Sequence, residues 1–187
     1  MINTLSNLIR GKRILLLGFG KEGQATYKLL KEIGLYAELG IADINPPCNI
    51  RDAQIYSGED YLEHIDDYDI AFKSPGIVLP KDYRKYTCKI TSQTEVFLQA
   101  FNRQVIGVTG TKGKTTTAHM IRSVLTAAGR TCGIIGTNGL AYKNTNRLLL
   151  NTTPESYELQ KIFSEMLAAG CDSVVMEVSS QGLMMER

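Results

Sequence analysis

Three short segments carry residue types and spacings that do chemistry. The first is Gly110-Thr111-Lys112-Gly113-Lys114-Thr115-Thr116, between the apolar run Val105 to Val108 and a stretch of helical periodicity. A Gly-rich turn between strand and helix suits a phosphate, because successive backbone N–H groups converge on its oxygens and the helix N-terminus adds positive partial charge. In that frame Lys114 reaches the β- and γ-phosphates as the catalytic cation, and the Thr115 hydroxyl takes a magnesium position. The spacing departs from GxxxxGK[ST] at its first glycine, where Val108 stands; Gly110 supplies the permissive backbone instead. An ordinary Gly-rich turn is the bland alternative, and the placement between strand and helix argues against it.

The second segment is the apolar run Ser173 to Val178 with Glu177 near its end. A carboxylate at the C-terminal end of a buried strand can hold magnesium directly or through water. Alone it would read as a solvated strand end; beside a phosphate loop the metal role is favoured. The third is Gly18-Phe19-Gly20-Lys21-Glu22-Gly23, which fits GxGxxG, with Asp43 near the end of the next strand. That is the dinucleotide fingerprint by form. It says that a diphosphate fits on this helix N-terminus, not which nucleotide carries it; a tight strand-to-helix turn without a ligand is the alternative.

The two Gly-rich segments each need a strand before and a helix after, and the surrounding pattern provides them. Arg13 to Leu17 reads as a strand, followed by a helix with Ala25, Leu29, Leu30 and Ile33 on one face and a stop at Gly34. Tyr68 to Phe72 and Cys88 to Ile90 read as further strands, and Ser92-Gln93-Thr94-Glu95 fits a capping box. After Asn102 the pattern restarts. A helix with Ala118, Ile121, Val124, Leu125 and Ala128 inward is expected to stop at Gly129. Gly136 to Asn151 reads as polar and Gly/Asn-rich, with one apolar run at Leu148 to Leu150. Thr153-Pro154-Glu155 reads as an N-cap, a Pro at N1 and a first-turn acid, ahead of Leu159, Ile162, Phe163, Met166 and Leu167 at helical spacing. The fold class is α/β. A Rossmann-like domain over 1–102 is followed by a P-loop α/β domain over 103–187 with about three strands, too few for a complete sheet of that kind.

Composition bounds the function. The 187 residues are 43% hydrophobic and 21% charged, with a net charge of +2. That balance fits a globular protein and gives no reason to expect a nucleic-acid partner. No apolar run approaches the roughly 18 residues of a membrane span. The N-terminal segment is too polar for a secretory signal. Cys48, Cys88, Cys132 and Cys171 stand apart, as reduced thiols of a cytoplasmic protein do. His64 and His119 are isolated, and Ser179-Ser180 has no triad partners in pattern.

These residues resemble the Mur ligase family, the ATP-dependent amino-acid-adding enzymes of peptidoglycan synthesis. Val108 to Thr116 resembles the family's ATP loop, including its departure from the general pattern, and Glu177-Val178-Ser179-Ser180 resembles its magnesium-binding strand end. Gly18 to Gly23 and Ser74-Pro75-Gly76-Ile77 are most similar to the ligase that adds D-glutamate. Asn151-Thr152-Thr153-Pro154-Glu155-Ser156 is more similar to the ligase that adds the third residue, diaminopimelate or lysine.

The resemblance implies ATP bound by Gly110, Thr111, Lys112, Gly113, Lys114, Thr115 and Thr116, and magnesium held by Thr115 and Glu177. It implies a UDP diphosphate against Gly18, Phe19, Gly20, Lys21, Glu22 and Gly23. It places Thr152, Thr153, Ser179 and Arg187 on a UDP-N-acetylmuramoyl-peptide whose carboxylate is phosphorylated and then attacked by an incoming amino acid. Gln181 stands where the family commonly has a His, and Met185 where it has a substrate-contacting Gln. The family's carbamylated lysine and C-terminal domain would lie beyond Arg187, so the chain reads as a fragment that alone lacks turnover. The competing readings are a folylpolyglutamate-synthetase-like ligase, an NAD-dependent oxidoreductase and a non-catalytic nucleotide-binding module.

Overall fold

The computed structural model describes residues 2–46 and 49–180. The chain divides into two compact units, Met1–Ala100 and Phe101–Arg187. The first holds α1 (Ile2–Ile9), β1 (Arg13–Leu17), α2 (Lys21–Ile33), β2 (Glu38–Ala42), β3 (Gln54–Tyr56), β4 (Ile70–Lys73), β5 (Lys89–Thr91) and α3 (Gln93–Ala100). Its sheet runs β3-β2-β1-β4-β5 with every neighbouring pair parallel. A parallel sheet is covered on both faces, so its central strands are apolar on both. Accordingly Ile14 and Leu16 join one core cluster with Leu30, Ile41 and Phe72, while Leu15 and Leu17 join another with Ile65, Tyr68 and Ala71. The strand order reverses direction at β1, which places the Gly18 loop at the switch point where such sheets bind ligands.

Helix α2 ends as its sequence indicates. Gly34 takes φ 63°, where only glycine is unstrained, and its N–H donates to the Leu30 carbonyl at 2.8 Å. Its inward row is Gly23, Thr26 and Leu30; Leu29 and Ile33 flank it, and Ala25 is only half-buried. The capping box at α3 is half formed. The Ser92 hydroxyl accepts from the Glu95 N–H, but the Glu95 carboxylate takes the Thr91 hydroxyl and the Gln99 amide instead of returning to the helix start.

The second unit holds β6 (Val105–Val108), α4 (Lys114–Ala127), β7 (Cys132–Gly136), β8 (Gly139–Tyr142), β9 (Thr145–Arg147), α5 (Ser156–Ala168) and β10 (Ser173–Glu177). Its order is β6-β10-β7-β8-β9. β6, β10 and β7 are parallel; β8 and β9 extend the sheet antiparallel. This corrects the expectation of about three strands: the Gly/Asn-rich stretch after Gly136 supplies two more. A buried Leu140 and Tyr142 anchor β8, and Lys143, at φ 46°, opens the two-residue turn into β9.

Two helical faces also differ from their periodicity. Ala118 is the buried residue of α4, with Ile121 and Leu125 beside it, whereas Val124 is 68% exposed. On α5 the buried row is Leu159, Ile162, Phe163 and Met166, and Leu167 faces out. In both cases the sheet covers a stripe narrower than the apolar pattern. Cys88, Cys132 and Cys171 are buried and free; Cys48 lies outside the described residues. Among the described residues no helix is long and apolar enough to cross a membrane.

Candidate functional site

Strand β6 delivers the chain into the second Gly loop, and α4 takes it away. Gly110 at φ 135° and Gly113 at φ 78° occupy backbone conformations that a side chain would strain. Gly113 is the N-cap of α4 and offers no side chain to its first amides; the first turn carries no acid. Those N–H groups and the dipole behind them face an anion without internal competition. The half-buried Lys114 folds over the loop, its Nζ donating to the Gly110 carbonyl at 2.7 Å. An ammonium resting on a carbonyl of the phosphate turn is positioned to exchange that bond for a phosphate oxygen.

Parallel pairing brings Glu177 to this loop. β10 lies against β6 with Glu177 opposite Val108, and the Val178 N–H donates to the Val108 carbonyl at 2.8 Å. The Glu177 carboxyl is 1% exposed. A buried carboxylate needs donors, and this one has three. Thr115 Oγ1 donates to Oε2 at 3.0 Å, Thr137 Oγ1 to Oε2 at 3.1 Å, and the Thr137 N–H to Oε1 at 3.1 Å. Gly136 is required beside it, since a Cβ there would overlap the carboxyl group.

The remaining candidates close around the same strand end. Thr153 is 2% exposed; its Oγ1 donates to the Glu177 carbonyl at 3.2 Å and accepts the Ser179 N–H at 2.9 Å. Thr153 is therefore not the α5 N-cap expected from Thr-Pro-Glu. Glu155 holds that position with no side-chain bond, because the Thr153 hydroxyl is committed to the end of β10. The Thr152 and Thr137 hydroxyls lie 3.3 Å apart. Thus Thr115, Thr137, Thr152, Thr153, Glu177 and Ser179 form one connected group. Arg187, Gln181 and Met185 lie outside the described residues. Thr137 escaped the sequence reading; the signal that marks it is its place directly after a buried parallel strand, at the end where such sheets gather functional groups.

The donor set suits magnesium. A carboxylate and a threonine hydroxyl are hard oxygen donors, already 3.0 Å apart and next to a phosphate turn. Magnesium commonly takes one or two carboxylates together with substrate phosphates and water. Among the described residues there is no group of three His, Cys, Asp or Glu that would make an all-protein cage.

The first unit builds a different loop. Gly18, at φ 88°, makes the turn; Gly20, the N-cap of α2, has open space where a Cβ would stand; and Gly23 lies so close that a Cβ would strike the Gly18 carbonyl. Those are the three glycine roles of a diphosphate-binding turn. Phe19 turns inward, edge-on to Tyr27 at 5.6 Å between ring centroids, so only its backbone faces the loop. Asp43 is turned back onto its own chain. Its Oδ2 accepts the Phe19 N–H at 2.6 Å and its Oδ1 the Asn45 N–H at 2.8 Å.

Comparison with known proteins bears on the second unit. Residues 108–187 match the Mur ligase middle domain. A UDP-N-acetylmuramoyl-L-alanyl-D-glutamate--2,6-diaminopimelate ligase of Clostridium perfringens is 48% identical over 84 residues, covering 45% of this chain and 17% of that enzyme. The enzyme of the same name from Solibacter usitatus is 52% identical over 83 residues, 43% of this chain and 16% of its own length. A solved structure of a ligase with that name shares 18% identity over 96% of this chain and 32% of its own, at a TM-score of 0.43. The matched stretch thus spans less than a fifth of each of these two curated relatives.

Proposed function

We propose, from the match of residues 108–187 to the Mur ligase middle domain, that this chain is part of an ATP-dependent ligase of that family. It adds an amino acid, D-glutamate or the third residue, to a UDP-N-acetylmuramoyl-peptide during cytoplasmic peptidoglycan precursor synthesis. Residues 103–187 carry the ATP and magnesium site. Residues 1–102 carry the UDP end of the substrate on the Gly18–Gly23 turn. The supporting observation is the Thr115–Glu177 hydrogen bond, which ties the phosphate turn to a buried carboxylate of matching chemistry.

The chemistry asks for charge control. A carboxylate is a poor electrophile, and both it and ATP are anionic. Magnesium, where bound, screens the phosphates. The loop N–H groups hold the chain of phosphates, and Lys114 follows the γ-phosphoryl oxygens as their charge shifts during transfer. The substrate carboxylate oxygen takes the γ-phosphoryl group of ATP and ADP leaves, giving an acyl phosphate; the amine of the incoming amino acid then attacks the carbonyl carbon, loses a proton and expels phosphate to form the amide. Thr152 and Ser179 stand beside the metal carboxylate, where they receive the peptide end of the substrate; the buried Thr153 holds Ser179 in place.

Amide NMR of the chain tests the assignment. Adding ATP with magnesium should shift Gly110 and Gly113, and adding UDP should shift Gly20 and Gly23. Perturbation of Gly20 and Gly23 by NAD but not UDP would overturn the role of residues 1–102. Silence of Gly110 and Gly113 toward ATP would overturn that of residues 103–187.

A further inference from the structure

We propose that Thr137 is a positioning residue for magnesium: it sets the plane of the Glu177 carboxylate, to which Thr115 also donates and which faces the cation. The inference rests on the reading of Glu177 and Thr115 as magnesium-site residues and deepens it. Nothing in the Gly-loop pattern points to Thr137, which lies between β7 and β8 rather than on the loop or on β10.

The available hydrogens fix the direction of each bond. An ionised carboxylate only accepts, and a threonine hydroxyl has one hydrogen to give. Glu177 Oε2 lies 3.0 Å from Thr115 Oγ1 and 3.1 Å from Thr137 Oγ1, so both hydroxyls spend their hydrogen on it. Thr115 is left with lone pairs only, the state in which a hydroxyl ligates a cation. Thr137 has no hydrogen left for Thr152, so the 3.3 Å contact between them is a bond donated by Thr152. The Thr137 N–H meanwhile holds Oε1 at 3.1 Å. One residue therefore grips both carboxylate oxygens, and rotation of the carboxylate breaks a bond at each. Gly136 closes the remaining side, where a side chain would enter the carboxylate's space. Glu177 is fixed by β7 before any ligand arrives, so the metal site needs little reorganisation on binding.

Thr137→Val keeps the shape and the backbone N–H and removes the hydroxyl; Thr137→Ser keeps the hydroxyl. The readout is ATP affinity of the chain as magnesium is varied, and again in EDTA. Thr137→Val should raise the magnesium concentration for half-maximal effect by about tenfold or more, the usual consequence of losing a hydrogen bond to a charged group. Affinity in EDTA should not change, and Thr137→Ser should restore the wild-type magnesium dependence. An unchanged magnesium requirement in Thr137→Val overturns the proposal. So does an equal loss of affinity with and without magnesium, the mark of a merely structural role. Should Thr137→Val fail to fold, Thr137→Ala is measured against the same two outcomes. A wild-type chain whose ATP binding ignores magnesium would instead sink the magnesium-site reading itself, and this inference with it.

Discussion

Two Gly-rich turns in one chain, each between a parallel strand and a helix, differ in where their acidic groups stand. At the Gly18 turn a carboxylate sits directly on the loop: Asp43 accepts the Phe19 N–H, and the first turn of α2 carries both Lys21 and Glu22. At the Gly110 turn the first helical turn is free of acid and Lys114 lies across the loop. The carboxylate there, Glu177, stands one strand away and meets the loop only through the Thr115 hydroxyl. The first arrangement tolerates an anion through geometry. The second attracts one and places a separate anion where a cation can bridge the two. A turn that only holds a diphosphate has no use for the second set; a turn that handles a transferring phosphoryl group does.

The largest effect expected concerns the packing glycine of the first turn. Gly23→Ala places a Cβ against the Gly18 backbone carbonyl, which cannot move aside cheaply. Stability of the first unit should fall by about 2–3 kcal/mol, within the usual range for overpacking, as followed by chemical denaturation. A neutral outcome would mean that the turn is looser than the contact implies. Next, Lys114→Ala should weaken ATP–magnesium binding by about ten- to hundredfold, the loss of a charge-assisted bond, and leave UDP binding unchanged in calorimetry. Gly20→Val is the mirror experiment. It crowds the open face of the first turn, so UDP affinity should fall while ATP affinity holds. If the two variants exchanged their effects, the roles of the two turns would be exchanged as well. The smallest effect is at Asp43. Asp43→Asn keeps an oxygen that can accept the Phe19 N–H, gives up the bond from the Asn45 N–H, and removes a negative charge from the diphosphate's surroundings. UDP should bind a few-fold more tightly, about 0.5–1 kcal/mol at surface dielectric. Weaker binding would show that Asp43 serves the ligand rather than the loop.

Much of this contrast is legible in residue types and spacing, because glycine, lysine and a strand-end carboxylate leave strong local marks. Gly18, Gly20 and Gly23 each take the place their pattern implies, and Glu177 stands where a strand-end carboxylate meets the loop. What stays hidden is whatever depends on a neighbour distant in sequence. Thr137 looks like any threonine in a polar stretch until β7 pairs with β10 and brings Glu177 to it across 40 positions. Thr153 has the composition of a helix cap, yet the carbonyl of Glu177 and the N–H of Ser179 compete for its hydroxyl and win. Strands β8 and β9 are missed for a related reason: their Gly and Asn content signals turns, and the hairpin is held by cross-strand pairing that local propensity does not record.

The central claim is that the second turn and Glu177 together form a magnesium-dependent ATP site. Calorimetric titration of the chain with ATP, with magnesium and with EDTA, for wild type and Glu177→Gln, tests it most directly. Wild type should bind ATP much more tightly when magnesium is present, and Glu177→Gln should lose that increment while keeping its affinity in EDTA. Equal magnesium enhancement in both proteins would contradict the account.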